Sequence, residues 1–180
     1  MAVSLAGRLL VATPVIADPN FERTVVLILA HGSDGAFGVV LNRPGDLLVS
    51  EVAAPWAAAV GWPAVVFVGG PVGSDAVLGL GRAEEAIPGA TVLPGGCTLV
   101  DLDEDSGDGR WSSVRLFAGS AGWAGGQLED EVAEGAWWAV DAGADDLLTI
   151  DPEGLWAAVL RRQRGELAWF ANYPMDPCAN

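Results

Sequence analysis

Short apolar runs alternate with clusters of turn formers along this chain, and several runs are too continuous for a strand that faces water on one side. Leu9 to Ala12 is the first, closed by Thr13-Pro14. Thr24 to Ala30 reads Thr-Val-Val-Leu-Ile-Leu-Ala, β-branched and apolar at successive positions, which suits a strand covered on both faces. Between them, Asp18-Pro19-Asn20-Phe21 has the residues of a turn. His31 to Gly35 turns the second run back into Ala36–Leu41, which predicts a hairpin. Asn42-Arg43-Pro44-Gly45 breaks that strand.

Further on, Val52 to Val60 predicts a short helix with Pro55 in its first turn. Val65–Val68 is a buried strand running into Gly69-Gly70-Pro71-Val72-Gly73, with another strand at Ala76–Leu80. Cys97–Asp101 and Val114–Phe117 predict two strands joined through an acidic hairpin tip, Asp103 to Gly109. Asp101, Asp103 and Asp105 resemble the start of a calcium loop, but Ser106 and Ser112 stand where that loop needs Gly and a bidentate Glu. Leu128–Glu134 predicts a helix stopped by Gly135, and Trp137–Val140 a strand. Asp151 as N-cap and Pro152 at the first position open the clearest helix, with Leu155, Trp156, Val159 and Leu160 as its apolar stripe and Arg161, Arg162 and Arg164 near its end. The expectation is one α+β domain over residues 1–180 with three helices, its tail from 173 poorly equipped for regular structure because of Pro174 and Pro177.

Charge narrows the chemistry. Nine arginines, no lysine and 24 acidic residues give a net charge of −15. Phosphate neutralisation dominates nucleic-acid affinity, so direct DNA binding is not expected, nor is adsorption to an anionic membrane. Without lysine there is neither a Walker A loop nor a Schiff base. One histidine and two cysteines make a zinc site improbable, so no metal and no cofactor are expected. No apolar run approaches the roughly 20 residues of a membrane span, and Met1 to Arg8 lacks the pattern of a secretory signal. With Cys97 and Cys178 alone, a disulfide framework is not expected, and the reading is cytoplasmic.

Five segments, Gly7-Arg-Leu-Leu-Val-Ala-Thr-Pro14, Asp18-Pro-Asn-Phe-Glu-Arg-Thr24, Gly38-Val-Val-Leu-Asn-Arg-Pro44, Val68-Gly-Gly-Pro-Val72 and Ala121-Gly-Trp123 with Gly126-Gln-Leu128, together resemble the YqgE/AlgH family, in its order and over most of the chain. The resemblance implies a bacterial cytoplasmic protein with a mixed, bifurcated β-sheet folded into a pseudo-barrel and about three flanking helices. It implies no established activity; one branch of the family is labelled a transcriptional regulator. Ser120 and Cys178-Ala179 depart from the family's pattern.

Asn20, Arg23, Thr24, Asn42 and Arg43 sit at strand ends, where a rigid sheet presents functional groups. In an antiparallel hairpin these ends adjoin, so two guanidiniums and two amides would make a pocket for a small anion. The competing role is structural, with each residue pinning a loop. Gly69 and Gly70 would extend the pocket as a backbone nest, or simply form a tight strand exit. His31, Ser33 and Asp34 are neighbours in one turn rather than a triad assembled from distant segments. Of Trp137 and Trp138, one should pack inward and the other outward, towards a partner. Three functions remain: a non-enzymatic binding or regulatory protein for a small anionic ligand or protein partner; a hydrolase or transferase using the same pocket; and a transcriptional regulator that does not itself contact DNA. The sequence carries no information on oligomeric state.

Overall fold

A computed structural model describes residues 3–104 and 109–174. Its elements are β1 (Arg8–Ala12), β2 (Val25–Gly32), β3 (Gly35–Val40), β4 (Pro44–Leu48), α1 (Val49–Val52), β5 (Val65–Val68), β6 (Val72–Ala83), β7 (Thr98–Val100), β8 (Trp111–Ala124), α2 (Gln127–Ala133), β9 (Trp137–Asp141) and α3 (Leu155–Arg161). Two 3-10 segments, Ala54–Trp56 and Gly165–Asn172, complete the set. The strands form one open nine-stranded sheet in the order β4-β5-β8-β3-β2-β1-β9, with β6 and β7 branching from β8. The pairings are antiparallel except β5 with β8, so the sheet is mixed and the fold α+β.

The fork lies within β8. Its first part runs beside β6 and β5, with Ala118 opposite both Val77 and Val68, and its last residues, Ala121 to Ala124, pair with β3. Gly119, at φ 73°, marks the bend.

The doubly apolar runs have the cause expected of them. Leu9, Val11, Val25, Leu27, Val39 and Leu41 meet α3 on one face through Leu155, Trp156, Val159 and Leu160. Leu10, Val26, Ile28 and Val40 meet Leu128 of α2, Trp123 and Trp137 on the other. A third cluster gathers Val49, Trp56, Val66, Val100, Val114 and Leu116. At about 25 cal/mol per Å² of buried apolar surface, covering both faces rather than one is what makes this sheet the centre of the molecule.

Several expectations change. The helix at Val52–Val60 is instead the single turn of α1 and the 3-10 turn at Ala54–Trp56, because Pro55 has no N–H to continue the ladder begun at Val49. Cys97–Asp101 and Val114–Phe117 are strands, but not hairpin partners: β7 pairs with β6, which lies between β7 and β8. Residues 105–108 of the acidic loop, and 175–180 of the tail with Cys178, lie outside the described residues. The strand β3 does break before Pro44, as expected, but Pro44 and Gly45 do not end sheet structure. They open β4, an edge strand, where a missing N–H is tolerated. At α3, Asp151 does not sit at the cap position. Its carboxylate accepts the N–H of Gly154 at 3.1 Å, the residue that does, so its capping chemistry acts one turn earlier. Among the described residues no helix is long and apolar enough to cross a membrane.

Candidate functional site

The turn before β2 is built from its own residues. Asp18 accepts the Asn20 N–H through its side chain at 2.8 Å and the Phe21 and Glu22 N–H groups through its carbonyl. Thr24, wholly buried, donates its hydroxyl to the Phe21 carbonyl at 2.7 Å. Asn42, at the end of β3, spans the strand ends: its oxygen accepts the Val25 N–H and its amide donates to the Arg23 carbonyl, both at 2.8 Å. Arg43 grips the same turn, donating to the carbonyls of Pro19 at 2.5 Å and Glu22 at 2.9 Å. Burial holds the Arg43 pKa below its ordinary value, and the Glu22 and Asp18 carboxylates offset part of that shift.

The five polar residues named from the sequence therefore meet at one corner, but Asn42, Thr24 and Arg43 spend their hydrogen bonds on backbone, and Asn20 lies exposed on the turn. Arg23 differs. It is the single non-glycine residue with positive φ among the described residues, at 53°, a conformation that costs about 1–2 kcal/mol for an L-residue. Its guanidinium stacks 4.5 Å from the ring centre of Trp156 and donates to the Tyr173 carbonyl. No carboxylate among the described residues pairs with it.

Arg23 and Trp156 line a pocket of about 170 Å³, with Thr13, Ile16, Glu22 and Tyr173 contributing to its wall. Arg43 is not part of that lining, so the two guanidiniums do not flank one cavity. Trp156 and Tyr173 were not singled out from the sequence. Trp156 read simply as part of a helical stripe, and what places it here is its indole N–H bond to the Ala12 carbonyl at 2.9 Å.

Gly69 and Gly70 adjoin the same corner without opening into it. The Gly69 carbonyl accepts the Val40 N–H and its own N–H bonds to Ala118. A Cβ on Gly70 would lie 2.2 Å from the Ser120 carbonyl oxygen, so these glycines let the β5 exit press against the bend of β8.

The remaining candidates resolve simply. His31 lies on β2 with its side chain buried; Nδ1 accepts the Leu5 N–H at 2.9 Å, which leaves Nε2 to donate to Glu129 at 3.0 Å. Trp138 faces the opposite side from Trp137 but is not an outward partner surface, since Phe170 covers it at 4.9 Å between ring centres. Arg115 carried a signal that pattern reading passed over, a charge inside the apolar run Val-Arg-Leu-Phe. It is 2% exposed, donates to the carbonyls of Trp62, Leu147 and Thr149 at 2.9–3.0 Å, and stacks 4.3 Å from the Phe67 ring centre.

The family model described as AlgH-like (DUF179) matches residues 9–168. The chain belongs to the AlgH-like family. It is 50% identical to a UPF0301 protein of Streptomyces avermitilis over 98% of this chain and 96% of that protein. A UPF0301 protein of Mycobacteroides abscessus is 41% identical over 97% of this chain and 88% of the relative. Among solved structures, protein DIP2367 of Corynebacterium diphtheriae superposes with a TM-score of 0.87 at 31% identity, covering 96% of this chain and 94% of that one. The solution structure of the AlgH protein of Pseudomonas aeruginosa gives 0.71 at 27% identity, covering 98% of each chain.

Proposed function

We propose that this AlgH-like domain is a cytoplasmic, non-enzymatic binding protein whose ligand is a small anion held by Arg23 in the pocket beside Trp156. The observation that carries the reading is the Arg23 guanidinium, fixed over an aromatic face at the pocket wall with no carboxylate partner among the described residues. A planar guanidinium suits a carboxylate or phosphate, and backbone held in a costly conformation is a recurring mark of a ligand site. Binding is favoured over hydrolysis or transfer because the Thr13 hydroxyl in the wall is committed to the Gly135 carbonyl at 2.8 Å, and Glu22, the carboxylate in the same wall, makes no hydrogen bond to it. A regulatory role would follow from ligand occupancy rather than from contact with DNA, given the net charge of −15.

The test is thermal unfolding with inorganic phosphate or succinate. At about 100 times the dissociation constant, either should add about 2.7 kcal/mol of stability, and Arg23→Gln should abolish that increment. An increment that survives Arg23→Gln, or none from either anion, overturns the reading.

A further inference from the structure

Ile16 and Ala17 border not only the Arg23 pocket but a second, larger groove of about 380 Å³, lined also by Asp18, Phe21, Trp123, Gln127, Glu131 and Trp137. Three of these residues form an aromatic cluster, with ring centres of Phe21, Trp123 and Trp137 lying 5.6–6.3 Å apart. Glu131 ties it together. One carboxylate oxygen accepts both indole N–H groups, at 2.9 and 2.8 Å, and the other accepts the Gln127 amide at 2.9 Å.

Each of those donors is neutral. Among the described residues no cation lies within ion-pair reach of Glu131. The surroundings add negative charge, with Glu129 and Asp130 on the first turn of α2, no basic residue in its last turn, and Asp18, partly offset by Arg43, in the lining. The groove thus has uncompensated charge but little hydrogen-bonding capacity, since Glu131 has used three of roughly four acceptor positions. A guanidinium seeks two free carboxylate oxygens and is poorly matched. A methylated ammonium needs no acceptor, spreads its charge over apolar methyl groups, and is attracted by aromatic faces. Donation of both indole N–H groups to an anion further enriches those rings in electron density.

We propose that this groove binds a methylated ammonium group. The shared chemistry is that of a free quaternary ammonium solute and of a methylated lysine side chain on another polypeptide.

Tetramethylammonium chloride is titrated into the full chain at constant ionic strength, with sodium chloride as the counterpart, while the indole N–H resonances of Trp123 and Trp137 are followed by NMR. A saturable shift of those two resonances with tetramethylammonium alone is expected. Phe21→Leu, which keeps an apolar side chain of similar bulk, should weaken it about fivefold while the other indole resonances stay in place. Choline and a trimethyllysine peptide then separate the two sources, the tighter of the two identifying which carries the group. The proposal is overturned if sodium reproduces the shifts, if Phe21→Leu leaves the affinity within a factor of two, or if decimolar tetramethylammonium moves neither resonance. Because the probe is a cation read at Trp123 and Trp137, neither outcome depends on anion binding at Arg23.

Discussion

Replacing Asn42 by alanine removes one side chain and orphans two backbone groups. The Val25 N–H belongs to a fully buried residue and has the Asn42 oxygen as its partner; the Arg23 carbonyl loses the Asn42 amide. A buried donor left unpaired costs about 1–3 kcal/mol, and losing a net hydrogen bond at a partly exposed acceptor about 0.5–1.5 kcal/mol. Together the substitution should destabilise the domain by about 2–4 kcal/mol. For a chain of this length that is a fall of about 5–15 °C in Tm, measured by circular dichroism. Asn42→Asp should fall between, because a carboxylate still accepts the Val25 N–H but repels the Arg23 carbonyl. The same clamp fixes Arg23 in its left-handed conformation, so Asn42→Ala should also shrink the stabilisation by phosphate without a change in the pocket's own side chains. If Asn42→Ala melts within a degree or so of the parent, water replaces the clamp at no cost and the reasoning fails.

Arg115→Lys should destabilise by about 2–4 kcal/mol in urea, because one ammonium cannot serve three carbonyls and has no planar face for Phe67; a loss under 0.5 kcal/mol would refute it. Burial lowers the Arg115 pKa to about 10, from the higher ordinary value of a guanidinium. The unfolded chain therefore holds more protons between those values, and the contribution of this group to stability rises with pH across that window. The penalty of Arg115→Met should accordingly widen as urea midpoints are compared from neutral pH upward through 10. Gly70→Ala should block folding, since its Cβ meets the Ser120 carbonyl oxygen at 2.2 Å, whereas Gly73→Ala, with positive φ but open space around it, should cost about 1–2 kcal/mol; soluble yield and Tm distinguish them. Burial raises the Cys97 thiol above its ordinary 9.0. In a Cys178→Ser background it should resist alkylation until the protein unfolds, and stability should fall as pH rises past 9 because the unfolded thiol ionises first; prompt labelling of the native chain would contradict this.

The sequence made the strands legible where burial is two-sided, because Val25 to Leu29 has no polar position to confuse its period. It made the corner legible through hairpin geometry alone. What it could not carry was pairing at a distance. Nothing local to Thr98–Val100 says that β6, rather than the following strand, will be its neighbour, and nothing in the stripe of α3 says that Trp156 will lie under Arg23. The polar residues at strand ends also look alike whether they face a ligand or a carbonyl. Arg23 and Arg43 differ in what they meet: Arg23, at positive φ, stacks on Trp156, whereas Arg43 reaches the carbonyls of Pro19 and Glu22. The Glu131 carboxylate, one of several acidic side chains in the predicted helix, becomes the hub of two tryptophans because β8 and β9 both deliver an indole to it.

The fork in β8 bears on how this molecule comes apart. A single strand of 14 residues supplies neighbours to β3 on one arm and to β5 and β6 on the other. Neither arm can detach without exposing the other's ladder, so partial opening is denied to the centre and left to the edges at β4, β7 and β9. Amide protons around Leu116 and Ala121 should then exchange with solvent only when the whole chain unfolds, at one common rate. A fragment ending before Trp111 would keep β1 to β7 yet lack the strand that β3, β5 and β6 all pair with, so no strand pairing would join its two arms.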